Sequence, residues 1–146
     1  MDSTDKEILQ RLSADARVPV AQLARAVGLS APSVAERIRR LEETGVVRGY
    51  GVDIDPGAVG RGLCAYIRIR PMPGRLNKVM ELVRGLDAVV ECVRVTGDDC
   101  FIAEVHVANV GDLEAAIDRF MPYASTNTSI VQSWPVARRL PPLPRA

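Results

Sequence analysis

The sequence predicts an α+β protein with an N-terminal three-helix helix-turn-helix domain, a hinge strand and a C-terminal ferredoxin-like βαββαβ domain. Two helix-period apolar stripes meet at a glycine turn within residues 20–45, and the apolar pattern turns extended after residue 45. Strand and helix patterns then follow in ferredoxin-like order. The predicted ranges are 1–48 for the helix-turn-helix domain, 49–60 for the hinge strand, 61–136 for the ferredoxin-like domain and 137–146 for a Pro-rich tail.

The first predicted helix covers residues 4–14. It opens with Thr4 and Glu7 at the spacing of a capping box, and Ile8, Leu9 and Leu12 follow on one face. We expect this helix to pack under the next two, because a two-helix hairpin alone has too small a core.

The next two helices are joined by a turn of defined chemistry. Gly28 can take the left-handed conformation that ends a helix, Leu29 is an apolar plug, and Ser30 is a good N-cap. The inward stripes are Val20, Leu23, Ala24 and Val27 on one helix, and Val34, Ile38 and Leu41 on the other. A second helix with a polar, basic outer face is typical of recognition helices that enter the DNA major groove. An ordinary helical hairpin is the alternative.

The overall charge does not indicate nucleic acid by itself. The formal net charge is only +1. DNA affinity must therefore come from a local patch and from its second copy on a dimer partner.

The second half has clear periodicity. Its predicted elements are a strand at 62–70, a helix from Leu76 that ends at Gly85, strands at 88–95 and 101–107 around a tight connection, a helix that starts between Asn109 and Asp112, and a last strand at 125–134.

The predicted sheet has two different faces. We expect the helices to cover Ile67, Ile69, Val93, Val95, Ala103 and Val105. The other face would carry Tyr66, Arg68, Val90, Cys92, Arg94, Ile102, Glu104 and His106. That mixture is too apolar for a free surface and too charged for a monomer core, so we infer a homodimer. A solvated face with scattered apolar residues is the alternative.

Several classes of protein are disfavoured. No apolar run reaches about 18 residues and no secretory signal opens the chain, so we expect a cytoplasmic protein without a membrane span. Three cysteines without Cys-x-x-Cys spacing and a single histidine predict neither a disulfide framework nor a metal site. No cofactor motif and no catalytic residue is predicted, and His106 is interpreted as structural. RNA-recognition domains share this strand order, but six aromatic residues and no Gly-Phe-rich motif disfavour that function.

Two stretches carry a resemblance to a known family. The segments VGLSAPSVAERIRRLEETGVVRGY at 27–50 and RVTGDDCF at 94–101 resemble the Lrp/AsnC (feast/famine) transcription regulators of bacteria and archaea. The resemblance implies a homodimer, with a tetramer or an octamer of dimers as larger forms. It also implies binding to double-stranded operator DNA and modulation by a small amino-acid-like effector. The alternative is an amino-acid-sensing oligomeric adaptor without strong DNA binding.

The resemblance places the recognition helix on residues 30–44. The residues it assigns to DNA binding are Ser30, Ala31, Ser33, Val34, Arg37 and Arg40. Arginine suits a bidentate contact with guanine or phosphate. The competing interpretation pairs the arginines of this helix with Glu36, Glu42 and Glu43.

The resemblance also places an effector site at the loop between the middle strands. Its residues are Thr96, Gly97, Asp98 and Asp99, with Thr126 and Thr128 nearby. Asp99 stands where an aromatic residue is common, and Cys100 where a second Asp is common. The departure predicts a ligand other than a simple leucine-like amino acid. A plain hairpin turn is the alternative, because Gly and Asp form such turns in any case.

Overall fold

The computed structural model describes residues 1–143 and divides into two compact units. One unit contains Met1–Asp53 together with the described part of the tail from Ala137, and the other contains Ile54–Val136. Residues 144–146 of the predicted tail lie outside the described residues, and residues 137–143 contain neither helix nor strand. Among the described helices, none is both long enough and apolar enough to cross a membrane.

Three helices form the first unit: α1 at Ser3–Ala14, α2 at Val20–Val27 and α3 at Ala31–Glu43. The predicted stripes supply its buried core, which contains Ile8, Leu23, Ala24, Val34 and Leu41. Val20 and Leu29 are more exposed than predicted, at 36% and 38%. Val20 is the first residue of α2 and Leu29 lies outside both helices, so neither side chain is enclosed by a helical turn.

The capping box of α1 is not the predicted pair Thr4 and Glu7. Asp2 is the N-cap: its side chain accepts from the Asp5 N–H at 2.8 Å, and the Asp5 side chain accepts from the Asp2 N–H at 3.0 Å. Because α1 begins at Ser3, Thr4 already lies inside the first turn. A carboxylate caps a helix as well as a hydroxyl does, and this pair supplies the acceptor two residues before the predicted position.

The predicted hinge strand is wrong as a strand. Within the described residues, 49–60 contain no β-strand, and a turn occupies residues 56–60. Val52 is 88% exposed and Ile54 is 59% exposed. A strand requires a neighbouring strand for its backbone N–H and C=O groups, and the register pairs of the described chain include none for this segment.

The second unit is a four-stranded antiparallel sheet in the order β2-β3-β1-β4. Its elements are β1 at Leu63–Pro71, α4 at Leu76–Arg84, β2 at Val89–Arg94, β3 at Phe101–Val107, α5 at Val110–Asp118 and β4 at Ala124–Ile130. The split βαβ order is confirmed, while β4 ends earlier than predicted. Side chains of the two helices and of one sheet face form the core, which includes Ile67, Ile69, Val79, Ala103, Val105, Leu113 and Phe120.

The predicted faces of β2 are reversed. The register between β2 and β3 shifts between Val89 and Glu91, so that Cys92 pairs with Ala103 and Val93 pairs with Ile102. A β-bulge adds one residue, and side chains alternate strictly, so everything after the bulge changes face. Cys92 and Arg94 therefore lie on the helix-covered face, and Val93 and Glu91 on the face without helices, which we call the open face.

Candidate functional site

The turn between α2 and α3 has the predicted geometry. Gly28 ends α2 with φ of 68°, a left-handed conformation that strains residues with a side chain. The Leu29 N–H donates to the Ala24 carbonyl at 3.0 Å, and the Ser33 N–H donates to the Ser30 hydroxyl oxygen at 3.3 Å. These bonds fix where α2 ends and where α3 begins, so the crossing of the two helices follows from local chemistry.

The leading turn of α3 presents part of the predicted DNA-binding set. Ser30 and Ser33 are exposed and Ala31 is half-buried. Val34 is fully buried in the core of the first unit. Its side chain cannot reach DNA in this structure, so assigning it a DNA contact was wrong. Val34 is on the apolar stripe that packs α3 against α1 and α2.

Arg37 and Arg40 pair with the start of α1, an arrangement that the sequence did not reveal. The Arg37 guanidinium lies 2.7 Å from Asp2 Oδ2 and 2.7 Å from Asp5 Oδ1. Arg40 Nη2 lies 3.2 Å from Asp5 Oδ2. Of the three arginines, only Arg39 pairs within its helix, with Glu36 and Glu43. We call Asp2, Asp5, Arg37 and Arg40 the acidic–basic cluster.

Asp5 is the buried centre of this cluster, with 1% of its surface exposed. Burial by itself would raise the pKa of Asp5, but the hydrogen bond from Asp2 and the one from Arg37 outweigh it and leave the pKa lowered. The carboxylate is therefore charged at neutral pH and holds Arg37, whose side chain is only 27% exposed. Arg37 secures α3 to α1, while Arg40 keeps 57% of its side chain in solvent.

The predicted effector loop is a tight connection between β2 and β3. The Val95 N–H donates to the Cys100 carbonyl at 2.9 Å, and Gly97 has φ of 110°. Arg70 of β1 holds the loop from the side: its Nε donates to the Asp98 carbonyl at 2.9 Å. The Arg70 guanidinium also lies 3.5 Å from the Asp98 carboxylate and 3.7 Å from that of Asp99.

Arg70 was missed as a site residue. The alternation of β1 showed only that it belongs to a strand, and the register brings it beside a loop that follows about 30 residues later in the chain.

Thr126 and Thr128 do not lie beside this loop. Both belong to β4, where they pair with Ile69 and Ile67 and share the helix-covered face. Strand β1 lies between β4 and β3, so Thr126 is about two strand spacings, roughly 10 Å, from the end of the loop at Phe101. The structure brings together the loop and Arg70, and leaves the two threonines on the far side of β1.

A cleft of about 490 Å³ lies elsewhere in the second unit, between α4 and β2. Its lining includes Met80, Arg84 and Arg94. Arg94 reaches this side because of the β-bulge, so the sequence pattern could not place it there.

The open face carries a polar group around Glu104. The Tyr66 hydroxyl donates to Glu104 Oε2 at 3.0 Å, and His106 Nε2 lies 3.0 Å from Glu104 Oε1. The hydrogen bond to Glu104, with burial, raises the pKa of Tyr66. Burial, with a smaller effect from Glu104, raises the pKa of the Cys64 thiol to about 11.

The first unit therefore has the geometry of a helix-turn-helix DNA-binding domain, and the second is a ferredoxin-like domain. Both are matched by models of one family. Residues 1–42 match the AsnC-type helix-turn-helix domain, and residues 64–141 match the Lrp/AsnC ligand binding domain. The chain belongs to the Lrp/AsnC family of transcriptional regulators.

Individual relatives agree with the family models. The chain is 34% identical over 129 residues to the HTH-type transcriptional regulator LrpA of Mycobacterium tuberculosis, covering 88% of this chain and 86% of that protein. Among solved structures, LrpC of Bacillus subtilis has a TM-score of 0.89 at 25% identity and covers 94% of this chain and 99% of its own. The feast or famine regulatory protein from M. tuberculosis complexed with L-methionine has a TM-score of 0.86 at 32% identity, covering 95% and 97%.

Proposed function

We propose that this transcriptional regulator binds DNA by laying α3 in the major groove, with Ser30, Ala31 and Ser33 at the base edges and Arg40 on phosphate. The observation that carries the proposal is the exposed leading turn of α3, held at a fixed angle by the Gly28 turn. Backbone N–H groups and hydroxyls at a helix N-terminus suit phosphate and base contacts. Arg40 adds a charge that is mostly in solvent.

The acidic–basic cluster changes which arginine tests this proposal. Arg37→Ala would disturb the contact with α1 and therefore confound folding with DNA binding. Arg40→Ala removes the exposed charge, and Arg39→Ala is the matched control, because Arg39 is the next residue and is paired within α3.

The measurement is fluorescence anisotropy with a duplex from the region upstream of the chain's own gene, over a series of salt concentrations. Arg40→Ala should weaken binding and reduce the salt slope by about one unit for the lost phosphate contact. Arg39→Ala should change neither. A folded Arg40→Ala variant with unchanged affinity and slope would contradict the assignment.

We also infer a homodimer formed through the open face. Tyr66, Val93 and Ile102 give this face apolar surface, and Arg68 and Glu91 give it charge. A second copy of the same face is self-complementary when opposite charges meet across a two-fold axis. Light scattering should show a dimer or a larger form, with a tetramer or an octamer of dimers as the expected assemblies.

Val93→Lys tests this surface, because it adds a charge where the dimer would exclude water. We expect a shift toward monomer at micromolar concentration. Val110→Lys is the control, since Val110 is similarly exposed but belongs to α5, on the other side of the sheet. A wild-type monomer at these concentrations would refute the dimer.

For the effector, we propose an amino-acid ligand at the loop of residues 96–99. The loop places the Arg70 guanidinium beside backbone groups and two carboxylates, which are complementary to the carboxylate and ammonium of an amino acid. The relative that was crystallised with L-methionine supports this class of ligand. A ligand carboxylate at Arg70 would replace the Asp98 and Asp99 side chains. Thr126 and Thr128 would then contribute only through a second chain or a longer ligand.

Calorimetry with L-methionine and a panel of other amino acids tests the site. Asp98→Ala and Gly97→Val should weaken binding, and Arg94→Ala in the cleft between α4 and β2 should not. Binding that survives both loop variants and is lost with Arg94→Ala would move the site to the cleft. No binding across the panel would indicate regulation without an amino acid.

One observation favours the second candidate function, an amino-acid-sensing adaptor without strong DNA binding. Asp2 and Asp5 neutralise part of the positive charge of α3, which weakens its attraction to phosphate. Salt-insensitive, micromolar or weaker binding to every duplex would support the adaptor. Either way, we propose a binding protein rather than an enzyme, acting in the cytoplasm where the chromosome is.

A further inference from the structure

Three potential metal ligands meet on the open face of the second unit. Cys64 of β1 pairs directly with His106 of β3, and Glu104 lies two residues before His106 on the same face. One ligand atom from each (the thiol sulfur, a carboxylate oxygen and a ring nitrogen) lies within 4.8 Å of the others. The strand register creates this group, because Cys64 is 40 or more residues from the other two in the sequence.

The environment of the His106 ring favours a cation at this place. Its Nε2 lies 3.0 Å from Glu104 Oε1, and its Nδ1 lies 3.4 Å from the Arg61 carbonyl. A neutral imidazole has one N–H, whereas both of these neighbours are acceptors. When Nδ1–H donates to the carbonyl, the lone pair of Nε2 faces a carboxylate oxygen. An imidazolium would donate to both acceptors, and a metal ion bound by Nε2 and Oε1 satisfies the same arrangement. A carbonyl partner on the second nitrogen is usual for histidine ligands.

Glu104 is also held in place from outside the group. Tyr66 donates to Oε2, which leaves Oε1 directed toward His106. Outer hydrogen bonds of this kind orient carboxylate ligands in metal sites. In a single chain the Glu104 and His106 side chains keep 23% and 11% of their surfaces exposed, so an ion can enter beside the buried thiol before two open faces meet in the proposed dimer.

We propose that Cys64, Glu104 and His106 bind Zn²⁺, with water in the fourth position. Sulfur, nitrogen and oxygen donors together suit a borderline-soft ion that prefers four ligands, whereas Mg²⁺ and Ca²⁺ take oxygen donors. Nitrogen and oxygen ligands about 2.0–2.1 Å from zinc in a tetrahedron lie about 3.3 Å apart, so the observed 3.0 Å needs only a small opening. Binding forms a zinc–thiolate bond and releases the thiol proton to solvent.

Cobalt titration of the full-length chain, after removal of metals and any purification tag, provides the test. Co²⁺ reports four-coordinate sites by strong visible bands and thiolate ligation by a near-ultraviolet charge-transfer band. We expect one Co²⁺ per chain with both signals, and displacement by Zn²⁺. Cys64→Ser should abolish the charge-transfer band, and His106→Gln should weaken binding by about tenfold or more.

Cys92→Ser and Cys100→Ser are the matched controls, because both thiols lie outside the group and should leave the spectra unchanged. Circular dichroism confirms folding of each variant, and Glu104→Gln provides a second route if Cys64→Ser fails to fold. No charge-transfer band in the wild type would overturn the proposal. So would an equal band in folded Cys64→Ser, or a band lost only in one of the controls. The test is independent of DNA binding and of the amino-acid effector.

Discussion

The two units of this regulator are stabilised by different physical means. Among its described residues, the helix-turn-helix unit has 5 buried apolar residues in its core and one buried charged residue, Asp5, which pairs α3 with α1. The sheet unit has a core of 12 buried apolar residues and, among the described residues, no buried charge. A small core leaves little hydrophobic free energy, so the contribution of charged contacts is proportionally larger.

This difference has a functional side. The helix that meets DNA in our proposal is also the helix that the acidic–basic cluster holds. Arg37 therefore stabilises the contact between α3 and α1 and is not a free cation for a DNA phosphate. Its position in the recognition helix had suggested a phosphate contact. The sheet unit separates the two roles: its apolar core lies on one face, and the proposed binding surfaces lie on the open face and at the loop. We therefore expect substitutions to lower the free energy of unfolding mainly through lost packing in the sheet unit, and mainly through lost charged contacts in the helical unit.

The largest effect should come from Phe120→Ala. Phe120 is fully buried in the core of the sheet unit, and its truncation leaves a cavity that costs about 3–5 kcal/mol. Chemical denaturation followed by circular dichroism measures the loss. Met121→Ala, next in the chain and 60% exposed, is the control and should change little. A loss below about 1 kcal/mol for Phe120→Ala would mean that this core is not the main source of stability.

A smaller loss, about 1–3 kcal/mol, is expected for Asp5→Asn, because Arg37 and Arg40 lose their buried charged partner. Hydrogen exchange should show faster opening of α1 and α3 with the sheet unchanged. Glu7→Gln breaks an exposed pair with Arg11 in the same helix and should have almost no effect. Equal effects of the two substitutions would refute the special role of the buried carboxylate.

Protonation of Asp5 should remove the stabilisation that Asp5→Asn also removes, and Asp2 and Glu36, whose pKa values are lowered as well, add to the loss of stability in acid. The pKa of Asp5 is lowered below its unfolded value of 3.8, so its stabilising contribution is complete above that value and is lost as pH falls through the folded pKa. Hydrogen exchange of α1 and α3 in steps from about pH 6 to about pH 2 should show this loss in the wild type. Asp5→Asn should flatten this part of the profile. A variant that keeps the wild-type profile would assign the acid sensitivity to other groups.

The smallest effect, about 1 kcal/mol, is expected for Ser30→Ala, which removes the N-cap of α3. Ser33→Ala is the matched control: it keeps the capped Ser33 N–H and loses only the hydroxyl contact with Ser30 at 2.8 Å. Exchange of the first-turn amides of α3 should rise in Ser30→Ala and stay near wild type in Ser33→Ala. The reverse order would show that the hydroxyl pair, rather than the cap, starts the helix.

Local chemistry made most of the elements predictable. Gly28 and Ser30 determine where α2 ends and where α3 begins, and the apolar stripes identify Leu23 and Leu41 as core residues. The helix and strand periods of the second half predicted the split βαβ order, which the sheet confirms. These features depend on residues within one or two helical turns of each other, so a single sequence contains them.

Long-range partners were decided by the tertiary structure alone. The bulge at β2 reversed the faces of Cys92 and Val93, because one additional residue changes the phase of alternation without changing composition. Pairing of Arg37 with Asp5, of Arg70 with the Asp98 loop, and of Cys64 with His106 joins residues 28 to 42 positions apart. Sequence periodicity records which face a side chain occupies, but which residue it meets there depends on register and packing between elements.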